Sequence, residues 1–416
     1  MRTSLLFTGL VGLTAVASLS ACDSFVEDVD PPIDRVIGDS LNTQDQASFL
    51  ATGVKEGFND SYDLLALLSD LLSDAGLFSQ DVDGATFPTF AEIDEGVLRR
   101  DNNSIDGLYN AINEYRFLAD DALVRADLIE FSADDEGAEA ERLLRFAGNL
   151  HGGISRYFLG TYFARNESDD TGGAPISTDR DRPSPFIPTA ELYNQAQQKL
   201  ETALQFLPAG DDGAYTRRVI NTMRARIALF AGDRGQAAQF AADGLVEGDP
   251  DYQGRYASTS VNEWWNDGGA GRTQVAVADR FFGYDQEDNR MLVEEAPTVE
   301  GVTRTYYRQA LYPTRDAPIP FLTWQDNALM LAEADLFDGG DNSQARSLIN
   351  SVRQSHGIPA LGAVDVDQST LLGARDRENF TRGLRLVDMR RFNIPLPNNA
   401  RFFPISQAEV LGNPNL

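Results

Sequence analysis

The feature that most constrains the fold is a series of helical patterns joined by short polar connections. Apolar residues recur at helical spacing over residues 189–207, 214–230 and 236–246, and alanines at Ala225, Ala228 and Ala241 would let helix axes approach closely. The connections 208–213 and 231–235 are rich in glycine and aspartate. Connections this short predict that consecutive helices pack as antiparallel neighbours.

One helix–turn–helix pattern occurs twice. The sequence ALFAG at 228–232, followed by Gln236-Ala237, is matched by DLFDG at 335–339, followed by Gln344-Ala345. Each copy predicts a helix, a glycine-containing turn and a second helix that carries alanine, which is the organisation of tetratricopeptide-like helix pairs. Further helices are predicted over 43–74 (two helices, broken at 59–61), 105–129, 138–163, 321–337, 344–356 and 367–392, with a coil packed on the surface over 393–416. The predicted fold class is therefore mostly α.

Two long irregular segments interrupt the helices and concentrate aromatic residues. Residues 76–103 and 248–320 have no sustained period, and segments of this length usually carry function. Flat rings pack on the C–H faces of sugars, so we expect ligand contacts here. The candidates are Trp264, Trp265, Tyr306, Tyr307 and Tyr312, followed by Phe87 and Phe90. Core packing explains each of these rings equally well, and Trp324, on a helical stripe, is assigned to the core.

The N-terminus indicates export and lipidation. Arg2 precedes an apolar run at 5–16 that is too short to span a bilayer, so residues 1–21 are predicted to be a cleaved signal peptide. The sequence Leu19-Ser20-Ala21-Cys22 resembles the lipobox of bacterial lipoproteins, whose cysteine receives acyl chains such as palmitate. Cys22 is the only cysteine. The alternative is an ordinary signal peptide with an unmodified Cys22.

The mature chain is predicted to consist of an acidic tether at 22–42 and a single helical domain at 43–416. The whole sequence carries 64 acidic and 35 basic residues, a formal net charge of −29. This charge repels nucleic acid, which we exclude as a partner. Lys55 and Lys199 are the only lysines. The composition is consistent with adaptation to high salt, or with a genome that favours arginine codons.

The sequence offers little for catalysis. His151 and His356 are the only histidines, and no metalloprotease, serine-hydrolase or phosphate-loop motif is present. We therefore predict a protein that is not an enzyme and has no cofactor or metal, with His151 packed or hydrogen-bonded inside a helix. Residues 81–84 and 285–289 have oxygen ligands at short spacing but complete no EF-hand loop. A pair of carboxylates suited to glycoside hydrolysis stays an alternative.

Three motifs near the C-terminus carry a family resemblance. They read LMLAEAD at 329–335, ARSLINSVR at 345–353, and ENF at 378–380 followed by RGLRLVDMRRF at 382–392. In this order and spacing they resemble the closing signature of the SusD/RagB nutrient-binding lipoproteins, with Asn379 and Arg382 as departures from it. Arg385, Asp388 and Arg391 stand at three-residue steps and are predicted to clamp their helix to the body by ion pairs.

The resemblance implies a function as well as a fold. It implies a SusD-like protein, lipid-anchored in the cell outer membrane and facing the exterior, that binds oligosaccharides or other nutrients. Such a protein passes its ligand to a SusC-like TonB-dependent receptor. The acidic residues after Cys22 resemble a surface-export signal. The alternative is a tetratricopeptide-type scaffold that binds protein segments, although such a scaffold predicts a regular repeat and no long aromatic insertion.

Overall fold

A computed structural model describes residues 41–177, 183–337 and 342–416. The signal peptide, Cys22 and nearly all of the predicted tether lie outside these residues. The described chain is mostly α-helical, as predicted. None of its helices is long and apolar enough to cross a membrane. The helices are α1 (Ala47–Leu72), α2 (Pro88–Asp94), α3 (Asn103–Leu128), α4 (Asp135–Tyr162), α5 (Thr189–Ala203), α6 (Gly210–Phe230), α7 (Arg234–Ala242), α8 (Glu263–Asn266), α9 (Asp279–Asp285), α10 (Trp324–Phe337), α11 (Asn342–Ser355), α12 (Gln368–Glu378), α13 (Arg385–Arg391) and α14 (Gln407–Gly412).

Helices that follow one another in the chain pack together in pairs. Helix α3 packs on α4, α4 on α5, α6 on α7 and α10 on α11, while α10 also packs on α7. Glycines on α4 allow its close approach to α5, since a Cβ atom at Gly153 would lie 2.8 Å from Cγ of Leu200. The predicted helix pairs are therefore present. The turn of the second copy, DLFDG at 335–339, lies only partly inside the described residues.

The predicted break within the first helical region is wrong, because α1 runs unbroken through Asn59 and Ser61. Both polar side chains are buried, and both form hydrogen bonds. The Ser61 hydroxyl donates to the Gly57 carbonyl (2.7 Å), and the Asn59 side-chain oxygen accepts from the backbone N–H of Arg255 (3.0 Å). Asn59 thus joins α1 to the long insertion and Ser61 bonds within α1, so neither residue ends the helix.

The single helix predicted over 367–392 is also wrong, because the chain turns between α12 and α13. Thr381 and Gly383 have positive φ values of 61° and 71°. The turn docks on α1, where the Ser69 hydroxyl donates to the Gly383 carbonyl at 2.8 Å. A Cβ atom at Gly383 would lie 2.7 Å from Cα of Ala66, so glycine meets both the conformational and the steric requirement.

The C-terminal tail is not the surface coil that was predicted. Strand β10 (Phe403–Pro404) pairs in parallel with β2 (Phe163–Ala164), and α14 follows it. Phe403 and Ile405 are buried in the main core. The tail is held because it completes the hydrophobic core beside the end of α4.

The two irregular segments combine into one sheet. Strand β1 (Gly76–Leu77) comes from the first segment, and β6 (Ala276–Val277), β7 (Val293–Glu295) and β8 (Tyr307–Gln309) come from the second; the strand order is β1-β6-β8-β7. Two further antiparallel pairs join β3 (Gly173–Ala174) to β4 (Ile187–Pro188) and β5 (Tyr252–Gly254) to β9 (Ile319–Leu322). Segments distant in sequence therefore form one continuous surface.

Candidate functional site

Four of the seven aromatic residues predicted to bind ligand are buried. Trp264, Tyr306, Tyr312 and Phe90 expose 1%, 4%, 4% and 3% of their surface. Tyr306 is fixed further by its hydroxyl, which donates to a carboxylate oxygen of Asp81 at 2.8 Å. These four assignments are corrected: the rings fill space between the irregular segments and the helices, so their faces are not open to a sugar.

Trp265, Tyr307 and Phe87 are half-buried and stay candidates for ligand contact. The guanidinium of Arg315 lies over the Trp265 ring at 5.2 Å, and a guanidinium also covers one face of the Phe87 ring. Tyr307 stacks on Phe282 with ring centroids 4.4 Å apart and an angle of 15° between the planes. Phe282 is 39% exposed and was not predicted. Each of the three predicted rings thus has one face already occupied by a neighbour.

A cleft of about 620 Å³ lies where the long insertion meets α11 and α12. Its volume is within the range of small-molecule sites. One wall comes from residues 288–292 and 311–320 of the insertion, and the other comes from His356 and residues 377–382. We call this the insertion cleft. Its lining includes Gln253, Asp288, Asn289, Arg290, Met291, Leu292, Leu311, Tyr312, Asp316, His356, Arg377, Glu378, Phe380 and Arg382.

The insertion wall is held in place by side-chain hydrogen bonds to its backbone. The buried Asn262, which caps α8, donates from its amide to the Ala317 carbonyl at 2.7 Å. Gln309 accepts from the backbone N–H of Tyr312 at 2.9 Å. Prolines at 313, 318 and 320 restrict φ along the same wall. A wall that is irregular except where it enters β9 is thereby given a defined shape.

The floor of the insertion cleft is a buried ionic network centred on Glu378. Its carboxylate accepts from Arg382 Nη1 at 2.6 Å and lies 3.0 Å from His356 Nε2. Arg290 Nη1 lies 3.8 Å away, at the rim. Burial alone would raise the pKa of Glu378, but Arg290, His356 and Arg382 outweigh it and lower the pKa to about 2. Glu378 is therefore ionised at neutral pH.

His356 is held between two carboxylates. Its Nε2 faces Glu378, and its Nδ1 lies 3.4 Å from a carboxylate oxygen of Asp288. Burial lowers the pKa of the ring, but the two acidic partners outweigh burial and the pKa is raised above its usual value. The other histidine behaves as predicted: His151 is buried in α4, its Nδ1 is 2.8 Å from the Tyr115 hydroxyl, and burial lowers its pKa to about 3.

Of the seven predicted residues only Tyr312 borders the insertion cleft, but its ring is buried and its hydroxyl is within 2.9 Å of Thr381 Oγ1, so it forms part of the wall and does not present an open face. Sequence reasoning missed Arg290, His356 and Glu378. Glu378 opens the third C-terminal motif, which is the one sequence signal that could have identified the floor. Within the described residues no group of three or more His, Cys, Asp or Glu side chains is arranged to hold a metal ion.

The ion pairs predicted for the C-terminal helix are present with one change of partner. Arg391 pairs with Asp388 at 3.3 Å along α13, as expected. Arg385 instead pairs with Asp74, at the end of α1, at 2.6 Å. The prediction that arginines of this motif clamp α13 to the body is therefore confirmed.

Solved structures share this fold over nearly the whole chain. A SusD superfamily protein from Bacteroides vulgatus matches with a TM-score of 0.72 and 16% identity, covering 90% of this chain and 98% of its own. Surface glycan-binding protein A from Bacteroides uniformis matches with 0.68 and 14%, covering 89% and 98%. A laminarin-binding SusD-like protein matches with 0.68 and 14%, covering 88% and 97%.

The chain therefore has the SusD superfamily fold, which confirms the fold predicted from the C-terminal motifs. No protein-family model matches the sequence. A comparison with curated proteins likewise gives no match.

Proposed function

We propose that this protein binds carbohydrate at the cell surface and delivers it to a TonB-dependent transporter without modifying it. The observation that carries the proposal is the fold, which is shared over nearly nine-tenths of the chain with a surface glycan-binding protein and a laminarin-binding protein. The lipid anchor on Cys22 and the outer-membrane location rest on the sequence motifs. They are part of the same proposal.

The insertion cleft is the site that we propose for the sugar. Leu292, Leu311 and Pro313, which are exposed or half-buried, supply apolar surface for the C–H faces of a sugar ring. Gln253 and the exposed Asn289 supply hydrogen-bonding groups for its hydroxyls. A largely apolar concavity with a few polar anchors is the usual composition of a small-molecule site.

The charge state of the insertion cleft supports binding without hydrolysis. A glycoside hydrolase needs a carboxylic acid whose pKa is raised, so that it can protonate the leaving oxygen. The pKa of Glu378 is instead lowered to about 2, chiefly by Arg290 and His356 against the effect of burial. The pKa of Asp316 is lowered by its hydrogen bond from Thr314. Glu378 and Asp316, two of the three carboxyl groups that line the cleft, are therefore deprotonated at neutral pH.

Glycan binding by the purified mature protein tests the proposal. Isothermal titration against soluble glycans, with laminarin included, should give saturable binding and no new reducing ends. Arg290 lines the cleft with its side chain 35% exposed, so its guanidinium can donate to a sugar hydroxyl. Arg290→Ala should therefore weaken binding about tenfold, the typical effect of losing a hydrogen bond from a charged group. Arg99→Ala removes an exposed arginine outside the cleft and is the matched control.

Two results would change the proposal. If Trp265→Ala and Tyr307→Ala abolish binding while Arg290→Ala does not, the ligand binds at the half-buried rings and the insertion cleft is not the site. If no glycan in the panel binds the folded protein, carbohydrate recognition itself is wrong. Anchoring is tested separately by Cys22→Ser, which should prevent incorporation of labelled palmitate.

A further inference from the structure

A second cleft, of about 400 Å³, lies where α4, α5 and α13 meet the C-terminal tail. Three arginines line it: Arg390, Arg391 and Arg401. Asp170 is the one carboxylate among its described lining residues, and the side chain of Asp170 is 95% exposed. Such a concentration of positive charge is unexpected in a chain whose net charge is −29. We call it the arginine cleft.

The three arginines differ in how their charge is compensated. Arg391 forms ion pairs with Glu333 and Asp388. Arg401 has only a distant pair with Asp170, at 3.5 Å. For Arg390 the described chain provides no carboxylate within 4 Å of the guanidinium. The arginine cleft therefore contains two cations with little or no acidic compensation.

The guanidinium of Arg390 is positioned by neutral groups. Its Nη2 donates to the Thr161 carbonyl at 2.7 Å and its Nη1 to the Arg401 carbonyl at 2.8 Å, while its carbon lies 4.2 Å from the centre of the Phe402 ring. Burial lowers the pKa of Arg390 to about 10, so the side chain stays charged at neutral pH. Carbonyl oxygens fix its orientation but leave its net charge in place.

Arg401 has unused capacity for hydrogen bonding. Its Nε is buried and has no partner. Its backbone is fixed, since its N–H donates to the Glu167 carbonyl at 2.7 Å. A smaller cleft of about 220 Å³ is lined by both Arg390 and Arg401, so the pair is reached from two sides. The Arg401 side chain as a whole is 37% exposed and its contact with Asp170 is long, at 3.5 Å, so the outer N–H groups of its guanidinium are open to a ligand.

We propose that the arginine cleft binds a small molecule bearing an oxyanion, that is a carboxylate, sulfate or phosphate group, held by Arg390 and Arg401. Guanidinium groups match the geometry of such oxyanions and bond them in pairs. Phe230, Phe402 and Val387 provide an apolar wall for the remainder of the ligand. This site shares no lining residue with the insertion cleft, and the proposal does not depend on carbohydrate binding there.

The test is titration with sulfate, phosphate and glucuronate, each at constant ionic strength set with sodium chloride. Constant ionic strength is essential because an acidic protein is stabilised by any salt. At least one of the three anions should bind the wild type saturably and raise its melting temperature. Glucose, which has no charge, should not bind at this site. Arg401→Gln should weaken binding ~10–100-fold, as expected for hydrogen bonds to a charged group.

Asp170→Asn gives the opposite and more diagnostic result. Asp170 is the acid that competes with the ligand for Arg401, so its removal should tighten binding ~2–5-fold. Its exposure means that folding is unaffected. The proposal is overturned if the three anions stabilise wild type and Arg401→Gln equally, or no more than chloride does. Should Arg401→Gln fail to fold, unchanged affinity in Asp170→Asn is sufficient to overturn it.

Discussion

The pair of Arg375 and Asp388 is the most consequential interaction between α12 and α13. Arg375 donates from Nε and Nη2 to the two carboxylate oxygens at 2.8 and 2.9 Å, and both side chains are only 2% exposed. Asn379 also donates to Asp388, at 2.8 Å. The two helices lie on either side of the turn at Gly383, so this pair fixes the turn that docks on α1.

We predict that Asp388→Ala lowers the free energy of unfolding by about 3–5 kcal/mol, because it leaves the Arg375 guanidinium buried without its counter-charge. The double variant Arg375→Met/Asp388→Leu should lose much less, since it removes both charges and keeps apolar volume in place. The difference between the single and double variants measures the cost of an isolated buried charge rather than the worth of the ion pair.

The free energy of unfolding of both variants is measured by urea denaturation, with tryptophan fluorescence as the signal. Asp127→Ala removes an exposed partner of Arg145 and is the control, with an expected change below about 1 kcal/mol. A loss below about 1 kcal/mol for Asp388→Ala, with an unchanged slope against urea, would refute the reasoning. A double variant less stable than the single one would also refute it, because burial of an unpaired charge would then not be the dominant cost.

Four further predictions concern pH, the turn and salt. The pKa of His356 is raised in the folded state, so its contribution to stability is complete below the usual histidine pKa of ~6.5 and is lost as pH rises through the raised value. In urea melts at a series of pH values, wild type should therefore lose stability relative to His356→Gln as the pH rises through this range. The pKa of Glu378 is lowered to about 2, so its contribution is present above ~4.5 and declines as pH falls towards 2, which acid titration of Glu378→Gln against wild type would measure. Gly383→Ala should cost about 1–3 kcal/mol for the positive φ, and more for contact with Ala66, whereas Gly373→Ala within α12 should gain up to about 1 kcal/mol; equal effects in thermal melts would contradict the role given to the turn. If the acidic surface reflects a high-salt habitat, the melting temperature should rise steadily from dilute buffer to molar sodium chloride, and a flat response would exclude that idea.

The sequence was a good guide to the long helices of the first half of the chain and to the fold. The helical patterns at 105–129, 138–163 and 189–207 correspond to α3, α4 and α5, and the C-terminal motifs identified the fold. It was a poor guide to ring exposure, because the composition of an irregular segment does not say which face of a ring is covered. Trp264 and Trp265 are adjacent, yet one is buried and the other half-buried.

The sequence by itself determined the fold class, the helix pairs and the Arg391–Asp388 ion pair along α13. These depend on local spacing: a period of 3.6 residues sets the buried stripe of a helix, and charges three apart lie on one face. Only the tertiary structure decided the two clefts. Arg290, His356 and Glu378 meet in one, and Arg390 and Arg401 in the other, because distant segments fold onto each other. No local pattern encodes such a meeting, since the free energy that fixes it comes from burial and pairing across the whole core.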